Sequence, residues 1–121
     1  MAQAATKLDV RLKRAYLPPS PEDGIRVLVD RLWPRGVRKT DAAIDQWLKE
    51  IAPSTELRRW FGHDPSRWEG FRRRYRAELS QNAALLNELR AVARKGRLTL
   101  VYAARDEVHN EAVVLRDVLA H

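Results

Sequence analysis

Near the start of the chain Leu8, Val10 and Leu12 alternate with Asp9, Arg11 and Lys13. That two-residue period belongs to a half-buried strand, most naturally at the edge of a sheet. Pro18, Pro19, Pro21 and Gly24 then interrupt regular structure. In the next run Ile25, Val27 and Val29 are β-branched and Leu28 is apolar on the opposite face. It reads as a strand covered on both faces, as when helices flank it. The connection between the two strands is barely long enough for a parallel crossover and leaves the direction of the first one open. From Asp41 to Ile51 the apolar residues Ile44, Trp47, Leu48 and Ile51 suit a helix and a short buried strand equally, and that segment stays ambiguous.

Helical spacing takes over after Pro53. Ser54 is placed to cap a short helix that runs through Trp60 and stops at Gly62. Ser66 and Glu69 form a capping-box pattern ahead of Trp68, Phe71, Tyr75 and Leu79, the apolar stripe of an amphipathic helix. A further helix from about Asn82 carries Leu85, Leu89, Val92 and Ala93 inward and ends at Lys95-Gly96. Leu98 to Ala103 is the second strong strand. It ends in Arg105-Asp106-Glu107, and Asn110 then caps a last helix through Leu119.

This order predicts an α/β fold, a single domain with a small, mostly parallel sheet covered by helices. The domain spans residues 8–121 behind a frayed N-terminus at residues 1–7. Ligands of such sheets sit beyond the carboxyl ends of the strands. With the two strong strands parallel and adjacent, Asp30, Arg31, Trp33 and Arg35 share a rim with Arg105, Asp106, His109 and Asn110. The last helix starts within that rim, so its free amides are expected to face a bound anion. Trp33 is held extended by Pro34 and Gly36 is free to take a positive φ, so the first loop is expected to be shaped. The competing account is an internal ion-pair network in which Asp30 and Asp106 neutralise the arginines.

Composition narrows the partners. A length of 121 residues suits one core, and the net charge of +7 with a pI near 10.4 favours nucleic acid, phosphorylated metabolites or anionic surfaces. The absence of cysteine removes disulfides, thiolate catalysis and cysteine-based zinc sites. No apolar stretch approaches the roughly 20 residues of a membrane span, and the first residues lack the core of a signal peptide. The expectation is a cytoplasmic protein with no membrane partner. None of the five glycines cluster, so no phosphate loop or dinucleotide fingerprint is present and no cofactor is expected.

Candidate chemistry is sparse. His63-Asp64 and His109 lack a recognised ligand spacing, so no metal site is expected, and Asp64 ahead of Pro65 reads as a helix cap. His109 beside Asp106 has the make-up of a general base. Arg72-Arg73-Arg74, with Arg67, Arg76 and the preceding Arg58-Arg59, offer a surface to phosphates, although Glu69 and Glu78 share the helix.

Several longer strings are more specific: Val29-Asp30-Arg31-Leu32-Trp33-Pro34-Arg35-Gly36, Trp47-Leu48-Lys49-Glu50-Ile51-Ala52-Pro53-Ser54, and Thr99-Leu100-Val101-Tyr102-Ala103-Ala104-Arg105-Asp106 followed by Asn110 and Ala112. Through these, together with Leu57-Arg58, Trp60-Phe61, Phe71, Tyr75 and Glu78-Leu79, the chain resembles the YeaO-like family of small uncharacterised bacterial proteins. The resemblance implies an α/β domain and no established activity. A broader set of related domains is similar in a strand ending in Asp-x-Arg and a later one leading to Cys-His-Arg. This chain has Asp30-Arg31 with no residue between and His109-Asn110 with no cysteine, so the thiol of that set has no counterpart here.

The function expected from the sequence is an anion-binding cleft handling a phosphorylated or carboxylated small molecule. Arg31, Arg35, Arg105 and Asn110 would hold the anion, Trp33 and Ser54 line the cleft, and Asp30, Asp106 and His109 are the candidate catalytic, proton-transferring groups. The alternatives are a nucleic-acid-binding module using the arginine-rich helix and a protein-interaction adaptor. The residues name no reaction.

Overall fold

The computed structural model describes residues 8–120, so the expected frayed start at residues 1–7 lies outside the described residues. Strands β1 (Val10–Arg14), β2 (Ile25–Leu28), β3 (Gln46–Trp47) and β4 (Leu98–Tyr102) form one sheet in the order β1-β4-β2-β3, with every pair parallel. The helices are α1 (Lys39–Ala42), α2 (Thr55–Phe61), α3 (Trp68–Leu79), α4 (Ala83–Lys95) and α5 (Glu111–Ala120). The two strong strands are parallel neighbours, with Val27 opposite Leu100 and Leu28 opposite Val101. The direction of β1 is settled by its partner: it is the edge strand and pairs with β4, not with β2. Every residue of central β4 is buried, which is why that run is apolar without alternation.

The main core lies on one face of the sheet. There Val27, Val29, Leu98, Leu100 and Tyr102 meet Leu57, Phe61, Phe71, Tyr75, Leu89 and Leu115 from the four longer helices. Phe71 stacks on Phe61 at 4.4 Å between ring centroids. Tyr75 is wholly buried, and its hydroxyl donates to the Ile51 carbonyl at 2.6 Å, as a buried phenol requires. The other face differs from the expected helix layer. Ala15, Leu28 and Val101 are covered there by Trp33, Ile44 and Trp47, the two indoles meeting edge to face at 5.4 Å. The ambiguous stretch before Pro53 resolves into α1, the two-residue β3 and a single turn at Lys49–Ile51. Two tryptophans supply apolar area enough to close a face without a helix.

Caps follow the sequence with one correction. Ser54 Oγ accepts from Leu57 N at 3.1 Å, and Gly62 ends α2 in a left-handed conformation. Before α3 it is Asp64, not Ser66, that caps: Asp64 Oδ1 accepts from Ser66 N at 3.0 Å and from its hydroxyl at 2.8 Å. Pro65 supplies the preset first position of the turn that leads into the helix. Glu69, freed from the expected capping box, pairs with Arg72 at 3.1 Å.

At the amino end of β2 a buried ion cluster appears that hydrophobic patterning does not announce. Arg26 Nη1 meets Asp23 Oδ2 at 2.7 Å, Lys13 reaches the same oxygen at 3.1 Å, and Arg26 Nη2 donates to the Ala42 carbonyl at 2.9 Å. Burial pushes the Asp23 carboxyl up, but the Ser20 amide, Lys13 and Arg26 outweigh it and hold it below the ordinary value. Gly24 between them has φ +66°, and a Cβ there would stand 2.2 Å from the Arg97 carbonyl oxygen. No helix among the described residues is long and apolar enough to cross a membrane.

Candidate functional site

Val29 N still bonds to the Val101 carbonyl at 3.0 Å, after which the chain leaves the sheet at Asp30. Asp30 is pinned twice: its Oδ2 accepts from Ala103 N at 2.9 Å and its carbonyl from Trp47 Nε1 at 2.7 Å. These bonds tie the loops after β2 and β4 to each other and to β3. A cleft of about 1080 Å3 opens beyond these carboxyl ends. The loop after β2 is shaped as expected, with Trp33 Nε1 donating to the Val37 carbonyl at 2.7 Å and Gly36 at φ 81°.

Arg31, Arg35 and Arg105 all line this cleft, and α2 adds Arg58 and Arg59. Arg31 is partly committed, its Nε and Nη2 donating to the carbonyls of Pro53 and Ala52 at 3.4 and 3.2 Å. Among the described residues none of the five arginines forms a salt bridge. The ion-pair network in which Asp30 and Asp106 neutralise them is therefore not what the structure contains.

Asp106 turns inward on its own loop. Its Oδ1 accepts from the amides of Val108 and His109 at 2.9 Å each, and its Oδ2 meets His109 Nδ1 at 2.8 Å. The His109 amide, then its ring, then the Val108 amide hold the Asp106 carboxyl below its ordinary value. His109 lines the cleft with its ring edge-on to Trp68 at 5.2 Å. With Nδ1–H donated to Asp106, Nε2 is left as the acceptor, the tautomer a general base needs.

Two of the expected residues do other work. Asn110 is buried and caps α5: its Oδ1 accepts from Ala112 N at 2.9 Å and Val113 N at 3.2 Å, while Nδ2 donates to the Asp106 carbonyl at 2.9 Å. The α5 amides expected to face an anion are thus met by the protein's own cap. Ser54 lies beside the cleft and does not line it, its hydroxyl donating to Glu78 Oε2 at 2.6 Å, whereas Pro53 and Thr55 do line it.

Glu111 is the residue sequence reasoning missed. It lines the cleft within hydrogen-bonding reach of Asp30, and its Oε2 is shut from solvent with no hydrogen-bond partner among the described residues. Burial, then the Asp30 charge beside it, push the Glu111 carboxyl well above its ordinary value, with Arg58 opposing. Like charges so placed cannot both ionise cheaply, so Glu111 holds its proton more tightly than a free carboxyl does. In the sequence an acidic residue opening a helix is merely a dipole-complementing residue. Its partner lies eighty-one positions earlier and is revealed only by the β2–β4 pairing. No group of three or more metal-ligating side chains comes together among the described residues.

A wholly parallel four-stranded sheet with its four longer helices on one face and an arginine-lined cleft at its strand ends defines a small α/β domain. The family model described as the inactive DUF488-N3 subclade matches residues 9–121, and the chain belongs to that family. It is 47% identical over 112 residues to the uncharacterised protein YeaO of Escherichia coli (strain K12), covering 93% of this chain and 97% of that one. It is 46% identical over 110 residues to uncharacterised proteins of Mycobacterium bovis and Mycobacterium tuberculosis, covering 91% of this chain and 92% of each. The resemblance to YeaO-like proteins read from the sequence agrees with these relatives. No solved structure matches the chain.

Proposed function

We propose that the protein binds a small phosphorylated or carboxylated molecule in the strand-end cleft and acts through that binding rather than through turnover. The observation that carries this reading is the set Arg35, Arg58, Arg59 and Arg105, which line one cleft without an acidic partner among the described residues. Guanidinium groups left unpaired around a concave surface suit bidentate contacts to phosphate or carboxylate oxygens. Arg31 adds its remaining nitrogen, and Trp33 forms part of the wall. The description of the matched family as inactive supports binding over catalysis. On this reading Asp30, Asp106 and His109 set the shape and charge of the cleft.

The nucleic-acid alternative draws on cations that are engaged elsewhere. Arg74 lies over the Trp60 ring at 4.1 Å, Arg67 covers the same ring at 5.4 Å, and Arg72 is paired with Glu69. The test is titration with inorganic phosphate and pyrophosphate, and separately with an oligonucleotide across a salt series. Arg58→Ala with Arg105→Ala should weaken the small anions about tenfold or more, since each charge-assisted contact is worth ~1.5 to 3 kcal/mol. Neutralising Arg72, Arg73 and Arg74 should leave them within about twofold. Oligonucleotide binding that survives the cleft variants and fails in the helix triple variant, with a steep salt slope, would replace this reading.

A further inference from the structure

The same cleft holds charge of both signs without letting it cancel. Asp30 and Glu111 lie side by side, five arginines line the cavity with them, and none of the five comes within ion-pair distance of either carboxyl among the described residues. Ala103 N serves Asp30 Oδ2, whereas Glu111 Oε2 has neither solvent nor a donor among the described residues. In the free protein the raised Glu111 carboxyl keeps a proton beside Asp30. An ammonium or amidinium group would bring a positive charge and several N–H donors to the same place and substitute for that proton.

Building on the anion site above, we propose that the ligand is bipolar: besides its phosphate or carboxylate it carries an ammonium, amidinium or similar N–H-rich group that docks on Asp30 and Glu111. The arginines then select the acidic end and the carboxyl pair selects the basic end, so a purely anionic molecule meets only half of the site. Groups facing Glu111 are Asp30, Arg58 of α2, Tyr75 of α3 and Tyr102 of β4. Both phenols are pushed upward from a value already far above a carboxyl's, so Glu111 is the member of this group that gives up a proton most readily. Docking of a cation on the pair therefore releases that proton to the buffer.

The experiment compares ω-aminoalkyl phosphates of increasing chain length with unsubstituted alkyl phosphates of the same length. Calorimetry at neutral pH in two buffers of different ionisation enthalpy reads both affinity and proton release. At one or more lengths the amine should tighten binding about tenfold and release a proton that the alkyl phosphate does not. Asp30→Asn with Glu111→Gln should abolish both the gain and the release, so that aminoalkyl and alkyl phosphates of one length then bind alike. Circular dichroism checks that this variant is folded; Glu111→Gln alone serves if it is not. No gain from the amine at any length, or a gain that persists in the folded variant, overturns the proposal. Failure of every alkyl phosphate and of inorganic phosphate to bind removes the anion site, and the bipolar ligand with it.

Discussion

Replacing Glu111 by glutamine should change how stability depends on pH more than it changes stability itself. In the folded protein the carboxyl is raised well above 4.5 by burial and by Asp30, so above that value the native state keeps a proton that the unfolded chain has lost. The sign follows directly: wild-type stability falls as pH rises, and it keeps falling until pH passes the folded value. A one-proton difference corresponds to a slope of up to ~1.4 kcal/mol per pH unit. For a domain of this size that is roughly 5 °C of Tm per pH unit. Glutamine is nearly isosteric, keeps a donor toward Asp30 and cannot ionise, so the variant should match the wild type near pH 5 and exceed it progressively toward pH 8. Asp9, Asp23, Asp64 and Asp106 are all held below their ordinary value, so their contributions are complete above it and are lost only in more acid solution. The histidines are common to both proteins and cancel in the difference. Thermal unfolding followed by circular dichroism, at constant ionic strength across pH 5 to 8, measures the gap. Parallel Tm curves over that range would refute the raised Glu111 carboxyl.

Three further expectations concern the scaffold, each read by urea or thermal unfolding. Phe71→Ala empties the centre of the aromatic cluster and should cost ~3 to 5 kcal/mol; a loss under 1 kcal/mol would show that Phe61 and Tyr75 do not depend on it. Asp23→Ala leaves Arg26 buried without its carboxylate and should also cost ~3 to 5 kcal/mol, whereas Asp64→Ala, at an exposed cap, should cost far less. Gly24→Ala combines a left-handed backbone with a clash against the Arg97 carbonyl and should destabilise by ~2 kcal/mol or more, while alanine at Gly96, with nothing near its Cβ, should not.

The parts of this fold legible in the sequence are those set by local periodicity. The alternation at Leu8, Val10 and Leu12 identified the edge strand, the apolar run at Leu98 identified the buried centre, and the stripe from Trp68 to Leu79 identified α3. The two loops were joined correctly because a parallel pairing of the strong strands leaves both carboxyl ends on one side. What escaped depended on contacts between distant segments. Trp33 and Trp47 close a sheet face in place of a helix, and Asp23 sits against Lys13 and Arg26. Arg58 and Arg59 read as an extension of the basic helix until α2 is seen to turn them toward the cleft. Asn110 caps α5 as its position predicts, and with its oxygen consumed by the two amides it caps and its Nδ2 given to the Asp106 carbonyl it is not free to hold an anion.

The strand order also governs when this protein can become a sheet at all. β1 and β2 are made early, yet neither pairs with the other; each waits for β4, whose last residue is Tyr102. On the ribosome, β2 can pair only with the two residues of β3 until Leu98 to Tyr102 have been made. An interrupted chain lacking Leu98 to Tyr102 would carry two strands with unpaired edges and apolar faces, the kind of species that associates with itself or is held by chaperones. Both loops of the cleft descend from that same pairing, so the cleft itself should form only once β4 has been made. A fragment stalled before β4 would then be a substrate for quality control, with no cleft yet formed.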